Sequence, residues 1–152
     1  AELQVLTPIK GQILRASDAG PRSGPVARAS GVYVVPGAGG AWIGATMQAG
    51  LDDRRIDPEV TGQLKAAAAN LFPQLADAEV RAQAGVRAAT PDGLPLVGPS
   101  SRPGVILALG ARRNGWLLAP MIAAQVVEAL ANRAVDARLA SRRFERAAVS
   151  SG

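Results

Sequence analysis

The sequence predicts an α+β fold in which an antiparallel or mixed β-sheet is flanked by helices. β-forming residues are concentrated near residues 3–14, 31–47 and 79–89, whereas residues 57–72 and 116–131 have apolar residues at helical spacing. The resulting order, strand, hairpin, helix, strand, strand, helix, is not the regular alternation of a purely parallel fold. A chain of 152 residues, 48% of them hydrophobic, is long enough to bury one core of ordinary size.

The first third of the chain predicts a strand, a loop and a hairpin. Residues 3–14 are rich in β-forming residues and partly alternating, which favours a strand. Residues 16–30 contain two Gly-Pro pairs, which are typical of a loop. Two apolar runs, residues 31–36 and 41–47, surround the Gly-Ala-Gly-Gly at 37–40, where glycine permits the positive φ angles of a tight hairpin turn.

The middle of the chain predicts a capped helix and then a strand. Asp57 can accept hydrogen bonds from free N–H groups at a helix start, and Pro58 suits the first helical position. Pro73 cannot continue a helix, so we expect the helix to end just before it. Residues 79–89 alternate enough to predict a strand, which a Thr-Pro-Asp-Gly turn at 90–93 would close.

The last third predicts a strand, a glycine-bounded loop and an apolar helix. Residues 105–109 are a short continuous apolar run, typical of a strand buried on both faces. The loop covers 110–115, the helix 116–131, and a basic tail compatible with a helix follows at 139–146. Such a unit aims free N–H groups at whatever lies over the loop. An ordinary strand-to-helix connection has the same pattern.

The absence of cysteine and histidine excludes several kinds of chemistry from this sequence. Disulfides, thiolate catalysis, imidazole-bound metals and a Ser-His-Asp triad all require one of these residues. The carboxylates suggest no acid-base pair either, because Asp52-Asp53 lies beside Arg54-Arg55 and is typical of a solvated, locally compensated loop. We therefore predict no catalytic side chain and no metal site.

The net charge of +5 is carried almost wholly by arginine, and it raises the possibility of a nucleic-acid-binding module. Arg138, Arg142, Arg143 and Arg146 could form a basic face, but Glu145 and the lack of interleaved aromatic residues favour a solvated tail. We predict no nucleic-acid partner. The start lacks the features of a signal peptide and the apolar stretch at 116–130 is too short to span a bilayer, so a cytoplasmic location is expected.

Two side chains stand out as candidate ligands of a small molecule. Arg87 is the only charged residue between Arg81 and Asp92, and it falls inside a predicted strand. A guanidinium there is either paired with a protein carboxylate or available to hold a ligand carboxylate in a bidentate manner. Tyr33 is the only tyrosine and lies on a predicted hairpin strand. It is either a core residue with a satisfied hydroxyl or a polar tip facing a ligand.

Five segments resemble the glycine oxidases and related D-amino acid oxidases, a family of flavin-dependent enzymes. These segments occur in the family's order and cover roughly residues 5–146. They are Pro-Ile-Lys-Gly-Gln at 8–12, Tyr-Val-Val-Pro at 33–36, Trp-Ile-Gly-Ala-Thr at 42–46, residues 84–98 with Ala-Gly-Val-Arg and Thr-Pro-Asp-Gly, and residues 110–120, which begin Gly-Ala-Arg-Arg-Asn-Gly-Trp.

The resemblance implies roles for particular residues. Arg87 matches the arginine that clamps the substrate carboxylate, and Tyr33 resembles the tyrosine whose hydroxyl helps to hold it. Arg113 matches an arginine near the substrate. The residues implied to contact FAD all belong to the loop and the helix start that follows it: Gly110, Arg112, Asn114, Gly115, Trp116 and Leu117.

The resemblance also implies an activity and a division of the chain. A member of this family oxidises the C–N bond of glycine, sarcosine or a small D-amino acid to an imine, with hydride transfer to FAD. Residues 1–98 would be a portion of the substrate-binding domain. Residues 99–152 would supply the closing strand, loop and C-terminal helix of an FAD-binding, Rossmann-like domain.

The sequence departs from the family pattern in ways that leave the substrate and the completeness of the site open. Gln83, Ala88, Ala111 and Gly37 stand where other residues are common. The Gly-x-Gly-x-x-Gly fingerprint that cradles a dinucleotide pyrophosphate is absent. We therefore expect an additional FAD-binding segment or chain as partner. A non-catalytic interaction domain, or one subunit of a heteromeric flavoenzyme, is the alternative.

Without that fingerprint we expect the 152-residue chain not to retain FAD tightly. The flavin content of the purified chain, read from its visible absorbance, checks this expectation. Stoichiometric bound flavin would show it to be wrong.

Overall fold

The computed structural model describes residues 2–145, which form two compact units. One unit is Lys10–Val86, and the other combines residues 2–9 with residues 87–145. Two strands contribute residues to both units, since β1 covers Thr7–Ser17 and β6 covers Val80–Ala89. The mixture of antiparallel strands and two helices confirms the predicted α+β class.

The unit Lys10–Val86 is built on a sheet with the strand order β2-β3-β4-β1-β5, and β6 also pairs with β1. The pairs β2–β3, β3–β4 and β1–β4 are antiparallel. The remaining strands of this sheet are β2 (Ala27–Ala29), β3 (Val32–Gly37), β4 (Gly40–Gly44) and β5 (Gln48–Ala49).

The predicted hairpin is confirmed as β3 and β4, joined at Gly37 and Gly40 with two residues between them. Gly40 has a φ angle of 113°, and a Cβ at this position would overlap the carbonyl oxygen of Ala16 on β1. Only glycine can bring the turn this close to the neighbouring strand. The hairpin therefore depends on a glycine that the sequence pattern had already marked.

The predicted helix is confirmed as α1, Pro58–Leu71. The Asp57 side chain accepts hydrogen bonds from the backbone N–H groups of Glu59 and Val60, so it caps the helix as expected. The helix ends two residues before Pro73. Its inner face joins a core whose members come from β1, β3, β4, α1 and the segment after it: Leu14, Ala16, Val32, Val34, Ala41, Ile43, Leu64, Ala68, Leu75 and Ala78.

A fully buried amide, that of Gln12, ties β1 to the start of α1. Its Nε2 donates to the carbonyl of Asp57 at 3.0 Å and to Oγ1 of Thr61 at 2.8 Å, while its Oε1 accepts from the Asp57 N–H at 2.9 Å. A buried polar side chain is tolerated only when its donors and acceptors are satisfied. Gln12 meets this condition by holding the backbone of the helix start.

The other unit contains the two-stranded antiparallel sheet of β7 (Leu96–Pro99) and β8 (Ile106–Leu109), followed by α2 (Gly115–Leu130). The sequence predicted β8 and α2 but missed β7. The expectation that β8 is buried on both faces is wrong: Leu107 is buried, but Ala108 is exposed. Within the described residues β8 pairs with β7 alone, and α2 packs against this small sheet.

Three other predicted boundaries differ from the structure. Glu2–Val5 is a short 3-10 turn rather than part of the first strand, because the Glu2 carboxylate accepts hydrogen bonds from the backbone and hydroxyl of Ser101. The predicted loop at 16–30 includes the end of β1 and the edge strand β2. Residues 141–145 are turns and not a helix. The eighth residue of that predicted tail, Arg146, lies outside the described residues.

Arg143 explains why the tail does not form a helix. Its side chain is 11% exposed, and its guanidinium donates to both carboxylate oxygens of Asp92 at 2.8 Å. It also donates to four backbone carbonyl groups, those of Leu94, Pro95, Leu139 and Ala140. Arg143 thus fastens the tail to the predicted Thr-Pro-Asp-Gly turn at 90–93. A hydrogen bond from the Gly93 N–H to the Thr90 carbonyl closes this turn.

No helix within residues 2–145 combines the length and apolar character needed to cross a bilayer. The same residues contain no group of three or more acidic side chains placed to hold a metal ion.

We expect Gln12→Met to lower the free energy of unfolding by about 1–3 kcal/mol, because it leaves the Asp57 backbone groups without their partners in a buried place. Urea unfolding measures the change. Gln63→Met is the matched control, since Gln63 is exposed on α1 and its amide contacts only Glu59. Equal stabilities of the two variants would contradict the role of Gln12.

We expect the ion pair of Asp92 and Arg143 to make stability depend on pH. The hydrogen bonds from Arg143 lower the pKa of Asp92 from 3.8 to about 2. A lowered pKa means that the stabilisation is complete above pH 3.8 and is lost as the pH falls to about 2.

Asp92→Asn should therefore have a free energy of unfolding about 1–2 kcal/mol below that of the parent at neutral pH. The expected loss is small for a charged hydrogen bond because the Asp92 carboxylate is partly exposed to solvent. The gap should close near pH 2. Unfolding at both pH values measures it, with Asp77→Asn at an exposed carboxylate as control. A gap that does not change with pH would contradict the assignment.

Candidate functional site

Arg87 lies near the end of β6 and is half-buried. Its Nη1 atom is buried and makes no hydrogen bond to any of residues 2–145. The sequence left two interpretations open, a structural ion pair or a ligand-binding guanidinium. Within the part of the chain that the structure describes, no carboxylate pairs with Arg87. A buried cationic donor without an acceptor is unfavourable in free energy. We therefore expect a ligand or another chain segment to supply the acceptor.

The carboxylate that follows Arg87 most closely in the sequence is already engaged. Asp92 is held by the guanidinium of Arg143 and by the backbone N–H of Leu94, which donates to Oδ1 at 3.0 Å. Arg143 is the main reason why the pKa of Asp92 falls to about 2. Asp92 is therefore ionised at neutral pH but committed to a different arginine.

The glycine-bounded loop at 110–115 lies beside the end of the strand that carries Arg87. Ala111 forms an isolated antiparallel bridge with Ala89, two residues beyond Arg87 on β6. Gly110 has a φ angle of 81°, and a Cβ there would lie 3.0 Å from Cγ2 of Thr90. Glycine allows the loop to pass this close to β6, so the structure brings two of the predicted site segments together within one unit.

The start of α2 presents backbone donors. Asn114 makes no capping hydrogen bond with its side chain, and its own N–H donates to the Ala111 carbonyl at 2.9 Å. Gly115, Trp116 and Leu117, which form the first turn, are exposed. Uncapped N–H groups at the positive end of a helix favour an anionic or electron-rich group. This is the part of the chain best suited to hold an edge of a cofactor ring.

The two arginines of the loop, Arg112 and Arg113, are both exposed. Arg112 adopts a left-handed backbone with φ of 50°, and its Nη1 comes within about 4.0 Å of where a Cβ on Gly93 would lie. Arg113 makes a polar or electrostatic contact elsewhere in the protein. The loop therefore adds positive charge next to the uncapped helix start.

Tyr33 belongs to the other unit, on β3, and is half-buried. Its ring lies over Gly44, its partner on β4, and the guanidinium carbon of Arg28 is 5.6 Å from the ring centroid. No hydrogen bond joins the Tyr33 hydroxyl to another of residues 2–145. Of the two interpretations that the sequence left open, a satisfied core hydroxyl is not what the structure shows.

Gln48 is a polar side chain that the sequence did not single out. Its Oε1 is buried and has no hydrogen-bond donor among the described residues. The residue lies on the short strand β5, which pairs with β1. A lone glutamine carries no spacing signal, so only the folded structure reveals this unpaired acceptor.

Several other charged residues of the described chain form ion pairs with one another. Asp53 is held by the buried Lys10, whose Nζ donates a hydrogen bond of 2.8 Å to Oδ1 of Asp53. This hydrogen bond is the main reason why the pKa of Asp53 is lowered to about 2. The sequence had assigned the compensation of Asp53 to its neighbouring arginines. Each described arginine of the proposed basic face also contacts a carboxylate: Arg138 with Asp136, Arg142 with Glu145, and Arg143 with Asp92.

Comparison with known proteins gives a consistent result. Residues 1–129 match the model of the FAD-dependent oxidoreductase family. The chain is 38% identical over 125 residues to a glycine oxidase of Pseudomonas aeruginosa, and the matched region covers 78% of this chain and 33% of that protein. It is 35% identical over 149 residues to the bifunctional protein ThiO/ThiG of Nostoc, covering 93% of this chain and 22% of that protein.

A crystal structure of glycine oxidase from Geobacillus kaustophilus superimposes with a TM-score of 0.73 at 33% identity, covering 86% of this chain and 36% of that one. The chain thus spans about a third of the length of the glycine oxidases that it matches. Since the family model covers most of the chain and the fold agrees, the chain belongs to the family of FAD-dependent oxidoreductases.

Proposed function

We propose that this chain is the substrate-side portion of an FAD-dependent oxidoreductase that oxidises the C–N bond of a small amino acid to an imine. The buried Nη1 of Arg87, which has no acceptor within residues 2–145, carries this proposal. Glycine, sarcosine and small D-amino acids are the proposed substrates. The similarity to proteins named glycine oxidase supports this choice.

Arg87 is proposed to hold the substrate carboxylate. A guanidinium binds a carboxylate through two parallel N–H···O bonds, which fixes its orientation as well as its position. A bound carboxylate would also supply the missing acceptor for the buried Nη1. Binding of the carboxylate therefore removes the free-energy cost of the unpaired donor. The residue thereby positions the substrate carbon without taking part in proton transfer.

The residues present fit a flavin. The N–H groups of Gly115, Trp116 and Leu117 at an uncapped helix start suit an electron-rich ring edge, and Gly110 keeps the loop backbone free of side-chain obstruction. FAD, when bound, supplies the acceptor for a hydride from the substrate. The proposed cofactor contacts of this chain are Gly110, Arg112, Asn114, Gly115, Trp116 and Leu117.

Two further side chains complete the proposal. Tyr33 is proposed to donate its hydroxyl hydrogen to the substrate carboxylate, which its lack of an internal partner supports. Arg113 is proposed to lie near the substrate and to add positive charge there. With these roles we propose a division of the chain into a substrate-binding portion, residues 1–98, and an FAD-binding portion, residues 99–152, a boundary that differs from that between the compact units.

The apolar surface of α2 supports the proposal of a partner segment or chain that carries the dinucleotide-binding fingerprint. Trp116 is 97% exposed, Leu117 79% and Leu130 67%. Large apolar side chains exposed together on one helix mark a surface that another protein element covers. This surface also favours the second candidate function, a non-catalytic interaction domain.

Co-expression with an FAD-binding partner separates the two candidate functions. A yellow complex whose flavin is reduced by glycine supports the enzyme. A stable complex whose flavin no small amino acid reduces supports the interaction domain.

We expect Arg87→Met to lower the efficiency of flavin reduction by glycine on the order of 30- to 5,000-fold, because loss of a buried charge partner costs about 2–5 kcal/mol. Anaerobic flavin reduction in the yellow complex of the chain with its FAD-binding partner measures this whichever electron acceptor the enzyme uses. Arg81→Met is the matched control, since Arg81 is exposed on the same strand. A change of less than about twofold in Arg87→Met would contradict the proposal.

A further inference from the structure

We propose that Gly44 and Arg28 are positioning residues that fix the hydroxyl of Tyr33 for carboxylate binding. This inference rests on the proposed function and deepens it. The three residues lie in one row across neighbouring antiparallel strands, because Arg28 on β2 is the register partner of Tyr33 on β3, and Tyr33 is the register partner of Gly44 on β4. Side chains that are directly opposite in such pairs share one face of the sheet.

Gly44 provides the surface on which the hydroxyl end of the ring rests. A Cβ at position 44 would lie 2.6 Å from the Tyr33 Oη, 2.7 Å from Cζ and 3.1 Å from Cε2. These distances are shorter than van der Waals contacts, so the ring would have to move. The φ angle of Gly44 lies outside the left-handed region, so φ itself does not demand glycine. The Tyr33 ring is a steric reason why position 44 has no side chain.

Arg28 restrains the ring from the other neighbouring strand. Its guanidinium carbon lies 5.6 Å from the ring centroid, within the range of a cation–π interaction. The residue is exposed on the edge strand β2, and its side chain forms no ion pair among the described residues. An arginine without a carboxylate partner that contacts an aromatic ring therefore acts on the ring and not on a neighbouring charge.

The two contacts together leave the Tyr33 hydroxyl in a defined place without using its hydrogen-bonding capacity. Gly44 sets how closely the hydroxyl approaches the sheet, and Arg28 limits sideways movement of the ring. Aromatic rings also cover glycines in sheets for purely structural reasons. The test must therefore separate the position of the hydroxyl from the stability of the sheet.

The dissociation constant of acetate, read from the perturbation of flavin absorbance in the yellow complex with the FAD-binding partner, provides that separation because it requires no turnover. Tyr33→Phe removes one hydrogen bond, worth about 1 kcal/mol, and should weaken acetate binding about fivefold. Gly44→Ala should weaken it by a similar factor. In the Tyr33→Phe background Gly44→Ala should have no further effect, since no hydroxyl remains to be displaced.

Controls make the result independent of folding. Gly62→Ala places a methyl group in open space on α1 and should leave acetate binding unchanged. If Gly44→Ala does not fold, Arg28→Gln at the exposed edge strand replaces it. Arg28→Gln should weaken acetate binding about two- to fivefold in the parent and not in Tyr33→Phe, as expected for loss of a cation–π contact.

Additive effects of Gly44→Ala and Tyr33→Phe would overturn the inference, because Gly44 would then not act through the hydroxyl. Unchanged acetate binding in Tyr33→Phe together with weakened binding in Arg87→Met would overturn the inference and the proposed role of Tyr33, while leaving carboxylate binding by Arg87 intact. Unchanged binding in both would reject the proposed function itself.

Discussion

A buried guanidinium nitrogen that has no acceptor among residues 2–145 is the feature on which the proposed site depends. Strand β6 places Arg87 where Nη1 is shielded from solvent, and no described carboxylate reaches it. The neighbouring acid that could have neutralised it, Asp92, is held by Arg143 through two hydrogen bonds of 2.8 Å. Since an unpaired buried cation is unfavourable, Arg87 is suited to an anion or another acceptor that lies outside residues 2–145.

The elements around Arg87 suit the proposed binding of an anion. The bridge between Ala89 and Ala111 sets the glycine-bounded loop beside the strand that bears Arg87, and the uncapped start of α2 follows directly. In the other unit, the hairpin of β3 and β4 carries Tyr33, and the Gln12 amide fastens the sheet to α1 behind it. Arg87 in one unit and Tyr33 in the other each carry a polar group that has no hydrogen-bond partner among residues 2–145.

The features that the sequence predicted correctly are those set by local chemistry. The cap by Asp57, the start at Pro58 and the glycine turn of the hairpin each depend on residues a few positions apart. The features that it missed depend on distant partners: β7 pairs with β8, and Arg143 reaches Asp92 across 51 positions. Sequence spacing likewise could not show that Gln48 has no partner or that Tyr33 rests on Gly44. Arg87 stands out in the sequence because it is the only charged residue between Arg81 and Asp92, but only the coordinates reveal that its Nη1 has no partner among residues 2–145.

The most direct test of the central claim is a crystal structure, with acetate bound, of the complex between this chain and its FAD-binding partner. We expect a carboxylate oxygen about 3 Å from Nη1 of Arg87, with the Asp92–Arg143 pair undisturbed. Finding Nη1 bonded instead to a carboxylate or carbonyl of the protein, with acetate bound elsewhere, would contradict it.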